Sequence, residues 1–144
     1  MIFDRTTQYS NGQAFTATAV STNVIDHLAA GIPYGSSAAL TRDLGTGPEV
    51  PILVQVTTTF TGLTSLAVTY QTSDVENFGS GVDNVVTTAA VPAADLKAGY
   101  QFAIDQIPYK ARKRYSRLNY TVVGTGTGGA ITAGAVAAVQ KNPL

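Results

Sequence analysis

Ile52-Leu53-Val54-Gln55-Val56-Thr57-Thr58-Thr59-Phe60 decides the fold class of this chain. Ile52, Val54, Val56, Thr58 and Phe60 alternate with Leu53, Gln55, Thr57 and Thr59. A period of two places one set on each face of an extended strand, and β-branched and aromatic side chains suit that pleated surface better than a helix. The same alternation returns three times. Leu66, Val68 and Tyr70 alternate with Ala67, Thr69 and Gln71; Tyr100, Phe102 and Ile104 with Gln101, Ala103 and Asp105; Leu118, Tyr120 and Val122 with Arg117, Asn119 and Thr121. The shared inward phase predicts a core that includes Val54, Val56, Leu66, Val68, Phe102, Ile104, Leu118, Tyr120 and Val122.

Weaker strand signals cover Phe15–Val20, Val24–Leu28, Asn84–Val91 and the alanine-rich Ile131–Val139. Turn signals separate them: Asn11-Gly12, Gly62, Asn77 to Gly81, Pro92, Ala98-Gly99 and Gly124 to Gly129. About eight strands in one domain predict an all-β sandwich or double-sheet barrel. Two stretches fall outside this pattern. Met1–Gln13 is polar after its first three residues and reads as an N-terminal arm ahead of a domain spanning residues 14–144. Gly31–Pro51, with Pro33, Gly35, Gly45, Gly47, Pro48 and Pro51, reads as one long loop, a feature usually functional or disordered.

The chain has 144 residues, enough to close one core without staples. Hydrophobic residues make up 44%, but charged ones only 12%, about half the usual share. Such a surface resists association poorly and suits faces that end against partners. Nine basic and nine acidic side chains cancel, so global charge favours neither nucleic acid nor an anionic membrane. Cysteine is absent, which excludes disulfides, thiolate nucleophiles and cysteine zinc sites. The N-terminus lacks a basic segment followed by an apolar run, and no stretch approaches the roughly 18 apolar residues of a membrane helix. The expectation is a soluble protein that stays where it is made.

No catalytic constellation stands out. His27, the single histidine, has no obvious partner, because Asp26 would point to the opposite face of a strand. No serine sits in a G-x-S-x-G elbow, and nine carboxylates offer no distinguishable pair for glycoside cleavage. Asp74-Val75-Glu76-Asn77 alternates oxygens as some calcium loops do, but lacks the other ligands. There Asp74 is expected to cap a turn and Phe78 to tuck into the core. The run Gly124 to Gly129 lacks a Walker lysine and reads as a flexible hairpin tip. The sequence therefore predicts no enzyme, no cofactor and no structural metal.

The sharpest local feature is Lys110-Ala111-Arg112-Lys113-Arg114-Tyr115-Ser116-Arg117, with five of the nine basic residues. Three readings stay open: a nucleic-acid patch, a solvated lead-in to the next strand, or a charged contact to an acidic protein.

Several stretches together resemble a known family. Met1-Ile2-Phe3-Asp4 runs into Ala14-Phe15-Thr16-Ala17-Thr18-Ala19-Val20-Ser21-Thr22-Asn23-Val24-Ile25-Asp26. Then follow Gln71-Thr72-Ser73-Asp74 with Phe78, Arg114-Tyr115-Ser116-Arg117-Leu118-Asn119-Tyr120, and Ile131-Thr132-Ala133-Gly134. In this order the chain resembles the capsid cement (decoration) proteins of tailed phages, of the Bordetella-phage BPP-1 type. The resemblance implies a jelly-roll-like β-sandwich bound outside an HK97-like head and bridging major capsid protein subunits. It also implies a homo-oligomer, dimer or trimer, and a virion location reached from the host cytoplasm, without nucleic-acid or membrane binding. Candidate partner contacts are Ile2, Phe3 and Arg5 on the arm, and Arg112, Lys113, Arg114 and Arg117 in the basic stretch. The alternative is a carbohydrate-binding β-sandwich on a virion, in which exposed tyrosines stack on sugars; a small glycan-processing enzyme is a third hypothesis.

Overall fold

In a computed structural model, residues 3–32, 34–41, 50–108 and 113–139 are described. The alternating stretches become strands, and the periodicity undercounts their length. Among the described residues the strands are β1 (Gln8–Ala14), β2 (Ala19–Val20), β3 (Ile25–Asp26), β4 (Ala30–Gly31), β5 (Leu40–Thr41), β6 (Ile52–Ser73), β7 (Asp83–Thr87), β8 (Val91–Pro92), β9 (Gln101–Ile104) and β10 (Tyr115–Ala135). Among the described residues there is no helix, and hence none long and apolar enough to cross a membrane.

The frame is a ribbon of two long antiparallel strands, β6 with 22 residues and β10 with 21. Neither strand contains a charged residue except Arg117 near the start of β10. Pairing runs from Tyr115 opposite Ser73 to Ala135 opposite Ile52. Its register shifts four times between Val123 and Ile131, where Val123 faces Ser65, Gly124 Leu63, Gly128 Thr61, Ala130 Thr58 and Ile131 Val56, so that both strands carry residues left out of the pairing. Such bulges bend a ribbon and increase its twist. Gly62 sits at this corner with φ +81°, and a Cβ there would lie 2.6 Å from the Thr125 carbonyl oxygen. Only a residue without a side chain allows that approach.

The corner folds one sheet over itself into a sandwich. One layer comprises β1, the second half of β10, the first half of β6, and β9; the other comprises β2 and β3, the first half of β10, the second half of β6, and β7 and β8. Contacts between the layers fill the core. Tyr9 of β1 meets Tyr70 of β6 edge-on at 6.3 Å between ring centroids, and Phe15 stacks on Tyr120 at 5.1 Å. Ile52, Val54, Val56, Phe60, Leu66, Val68, Leu118 and Ile131 are buried in the same cluster. The expected core residues Val54, Val56, Leu66, Val68, Ile104, Leu118 and Tyr120 are in it, with Phe102 and Val122 only partly buried against its edge.

Several expectations need correction: the strands expected over Val24–Leu28, Asn84–Val91 and Ile131–Val139 become Ile25–Asp26, the pair Asp83–Thr87 and Val91–Pro92, and the end of β10 at Ala135. Gly124 to Gly129 is no hairpin tip, because β10 continues through it. The segment Met1–Gln13 is not an arm throughout, since Gln8–Ala14 pairs with β10 and buries Tyr9 and Ser10. The strand expected over Phe15–Val20 shrinks to Ala19–Val20, while Phe15, whose N–H donates to the Gly129 carbonyl of β10, fills the core. Finally, part of the expected loop Gly31–Pro51 forms the separate ribbon of β4 and β5, with Ala30 opposite Thr41 and Gly31 opposite Leu40.

Candidate functional site

The basic stretch begins the last long strand, and each described cation in it has a partner within the chain. Arg114 donates two hydrogen bonds to the Asp26 carboxylate, at 3.0 Å to Oδ1 and 2.9 Å to Oδ2, and lies over the Tyr115 ring. The hydrogen bonds from Arg114 hold the Asp26 carboxyl below its ordinary range, and reciprocally raise the guanidinium. Lys113 pairs with Asp83 at 2.9 Å and donates to the Gly81 carbonyl. Arg117 donates to Gln71 Oε1 at 2.8 Å and lies 4.1 Å over the Phe78 ring; partial burial lowers its pKa. The result is a clasp that ties β10 to β3, β6 and the β6–β7 turn. Arg112 and Lys110 lie outside the described residues, as do Ile2 and Met1.

Around this clasp the remaining candidates take structural positions. His27 Nε2 lies 2.8 Å from Ser116 Oγ, which in turn contacts the buried Tyr9 hydroxyl at 2.9 Å. The turn after β6 is capped by Ser73, not Asp74: its hydroxyl accepts the Val75 N–H and donates to the Ser80 carbonyl. Phe78 does tuck in, buried beneath Arg117, at φ +54°. Asp74, Glu76 and Asn77 are all exposed. Among the described residues no three histidine or carboxylate side chains are gathered so as to hold a metal ion.

Phe3 is half-buried with its ring against Gly134 of β10. Arg5 is exposed and lines an open polar cleft of about 580 Å³ with Gln8, Asn23, Ile25 and Glu76. Tyr9, Tyr70 and Tyr120 are buried, so their faces are not offered to a sugar.

The surface that sequence reasoning missed lies on the small ribbon. Leu28 is 59% exposed, Ile32 68%, Leu40 59%, and Tyr34 fully exposed. Residues 28–41 contain no charged side chain. The signal was present in that uncharged run, but its glycines and proline made it read as a loop.

The Bbp16 family model matches residues 9–139, from within β1 to beyond the end of β10. It is a protein family of the Bordetella phage BPP-1. No curated protein matches the chain.

Proposed function

The chain belongs to the Bbp16 family, which indicates a phage structural protein and a virion component, and from that premise we propose that it is a capsid cement protein. In this reading it binds the outer surface of an HK97-like head and bridges neighbouring major capsid protein subunits. The role is mechanical, with no catalytic step and no cofactor. The observation that carries the reading is the family match, which covers both layers of the sandwich.

The physical case rests on repetition. A shell presents the same contact many times, so each copy needs only a modest interface. A protein that binds the assembled form better than the dissociated form shifts the equilibrium toward assembly by mass action. The two-layered sandwich supplies a stiff body, and its sparse charge lowers the desolvation cost of docking. The test compares heads carrying the chain, heads stripped of it, and stripped heads to which it has been returned. Heads with the chain should survive higher temperature and lower salt than stripped heads, and re-addition should restore the difference. Equal release temperatures for all three would overturn the cementing role.

A further inference from the structure

Among the described residues the β4–β5 ribbon pairs with no strand of the main sheet, and its large side chains stand mostly in solvent. A two-stranded ribbon alone is marginal in water. Leu28, Ile32, Tyr34 and Leu40 are each more than half exposed, within a run of residues free of charge. Exposed apolar groups gathered this way mark an interaction surface rather than ordinary surface scatter.

We propose that this ribbon is the element that docks on the assembled head, inserting Ile32, Tyr34 and Leu40 into an uncharged, apolar depression of the capsid lattice. The inference rests on the cement reading and deepens it by naming the contact and its chemistry. Two considerations select this occupant. A charged partner surface would lose its hydration against residues 28–41 without gaining a counter-charge, so the complementary surface is neutral. Area then decides between a second copy and the shell. At roughly 150–250 Å² for a large aromatic side chain and less for leucine, one fully and three largely exposed side chains offer on the order of 500 Å². A stable pairwise interface needs roughly 800 Å² from each partner. The ribbon therefore falls short of holding a free dimer together, whereas on a shell it need supply only one of the contacts that a protein bridging neighbouring subunits makes at once. This assigns docking to the ribbon and not to the basic stretch, whose described cations are already paired.

The experiment measures co-sedimentation of the purified chain with stripped heads, for the natural sequence, the double variant Ile32→Ser/Leu40→Ser, and Tyr34→Ser. All three positions are exposed, so unfolding midpoints should match that of the natural chain; if the double variant does not fold, Tyr34→Ser carries the test. The double variant should bind at least about ten-fold more weakly, and Tyr34→Ser several-fold. The ratio to the natural chain should persist when salt is raised, because the contact is apolar. Equal binding by folded variants overturns the docking proposal and leaves the cement reading standing. Failure of the natural chain to bind heads overturns both. If the variants instead dissolve a homo-oligomer of the free chain, the occupant is a second copy and the proposal falls.

Discussion

The buried hydroxyls show what a single residue can decide in this protein. Ser10 donates its proton to Gln13 Oε1 at 2.7 Å, so the 2.7 Å contact with Tyr120 must run from the tyrosine hydroxyl to the serine oxygen. Gln13 Oε1 also accepts from the Thr22 amide and hydroxyl. This chain of bonds locks β1 to the opposite layer with polar atoms. It also explains why β1 was illegible in the sequence: apolar periodicity registers neither a buried serine nor a tyrosine that pays for burial with a hydrogen bond. Tyr120→Phe removes the donor and leaves Ser10 under-satisfied, at a cost of about 1–3 kcal/mol at neutral pH. Burial also raises the Tyr120 pKa above its ordinary value. Above about pH 10 the unfolded chain gives up this proton while the folded chain keeps it, so folding stability falls as pH rises. The phenylalanine variant lacks that loss at position 120. Urea unfolding from pH 8 to 11 should therefore show the gap between the two proteins narrowing; a constant gap would contradict the assignment.

At the scale of elements, the alternation of Ile52 to Phe60, Leu66 to Gln71 and Arg117 to Val122 made these stretches legible as strands, although Leu53 and Thr69 are buried against that alternation and Thr58 is exposed. What could not be read was that the halves are continuous. Glycine and threonine at residues 61–64 and 124–129 look like punctuation, whereas here they are the material of a bend. The two threonines facing each other across it, Thr61 and Thr127, join hydroxyls at 2.9 Å. Gly62→Ala should cost about 1–3 kcal/mol, since a methyl group would both strain the positive φ and press on the Thr125 carbonyl. Chemical denaturation should show a lower midpoint with an unchanged slope. An unaltered midpoint would mean that the corner does not depend on this close approach.

For the molecule as a whole, the first strand belongs to the sandwich and is no detachable appendage. Deleting residues 1–13 removes Tyr9 from the centre of the core and strips the β1 ladder from β10. Loss of a buried aromatic alone costs about 3–5 kcal/mol. The truncated protein should therefore unfold at a much lower urea concentration, or lack a cooperative transition. A midpoint equal to that of the full chain would restore the segment as an arm. The site was less legible than the fold. The basic residues caught the eye as charge, but the structure spends Lys113, Arg114 and Arg117 on internal partners. The exposed apolar ribbon was hidden because short strands carry too few residues to show a period.

The long ribbon also dictates an order of events during synthesis. Ile52 can find its partner on β10 only when Ala135 has been made, and Tyr9 contacts Ser116 across a separation of 107 residues. Until then β6 leaves the ribosome as a strand of 22 residues with no charge and no proline, a composition prone to pair with its like. Contacts this distant are slow to form, because loop closure must precede any gain from them. Nascent chains thus race native pairing against association with one another. The density of ribosomes on one message bears on the yield of folded protein as directly as the stability of the finished sandwich.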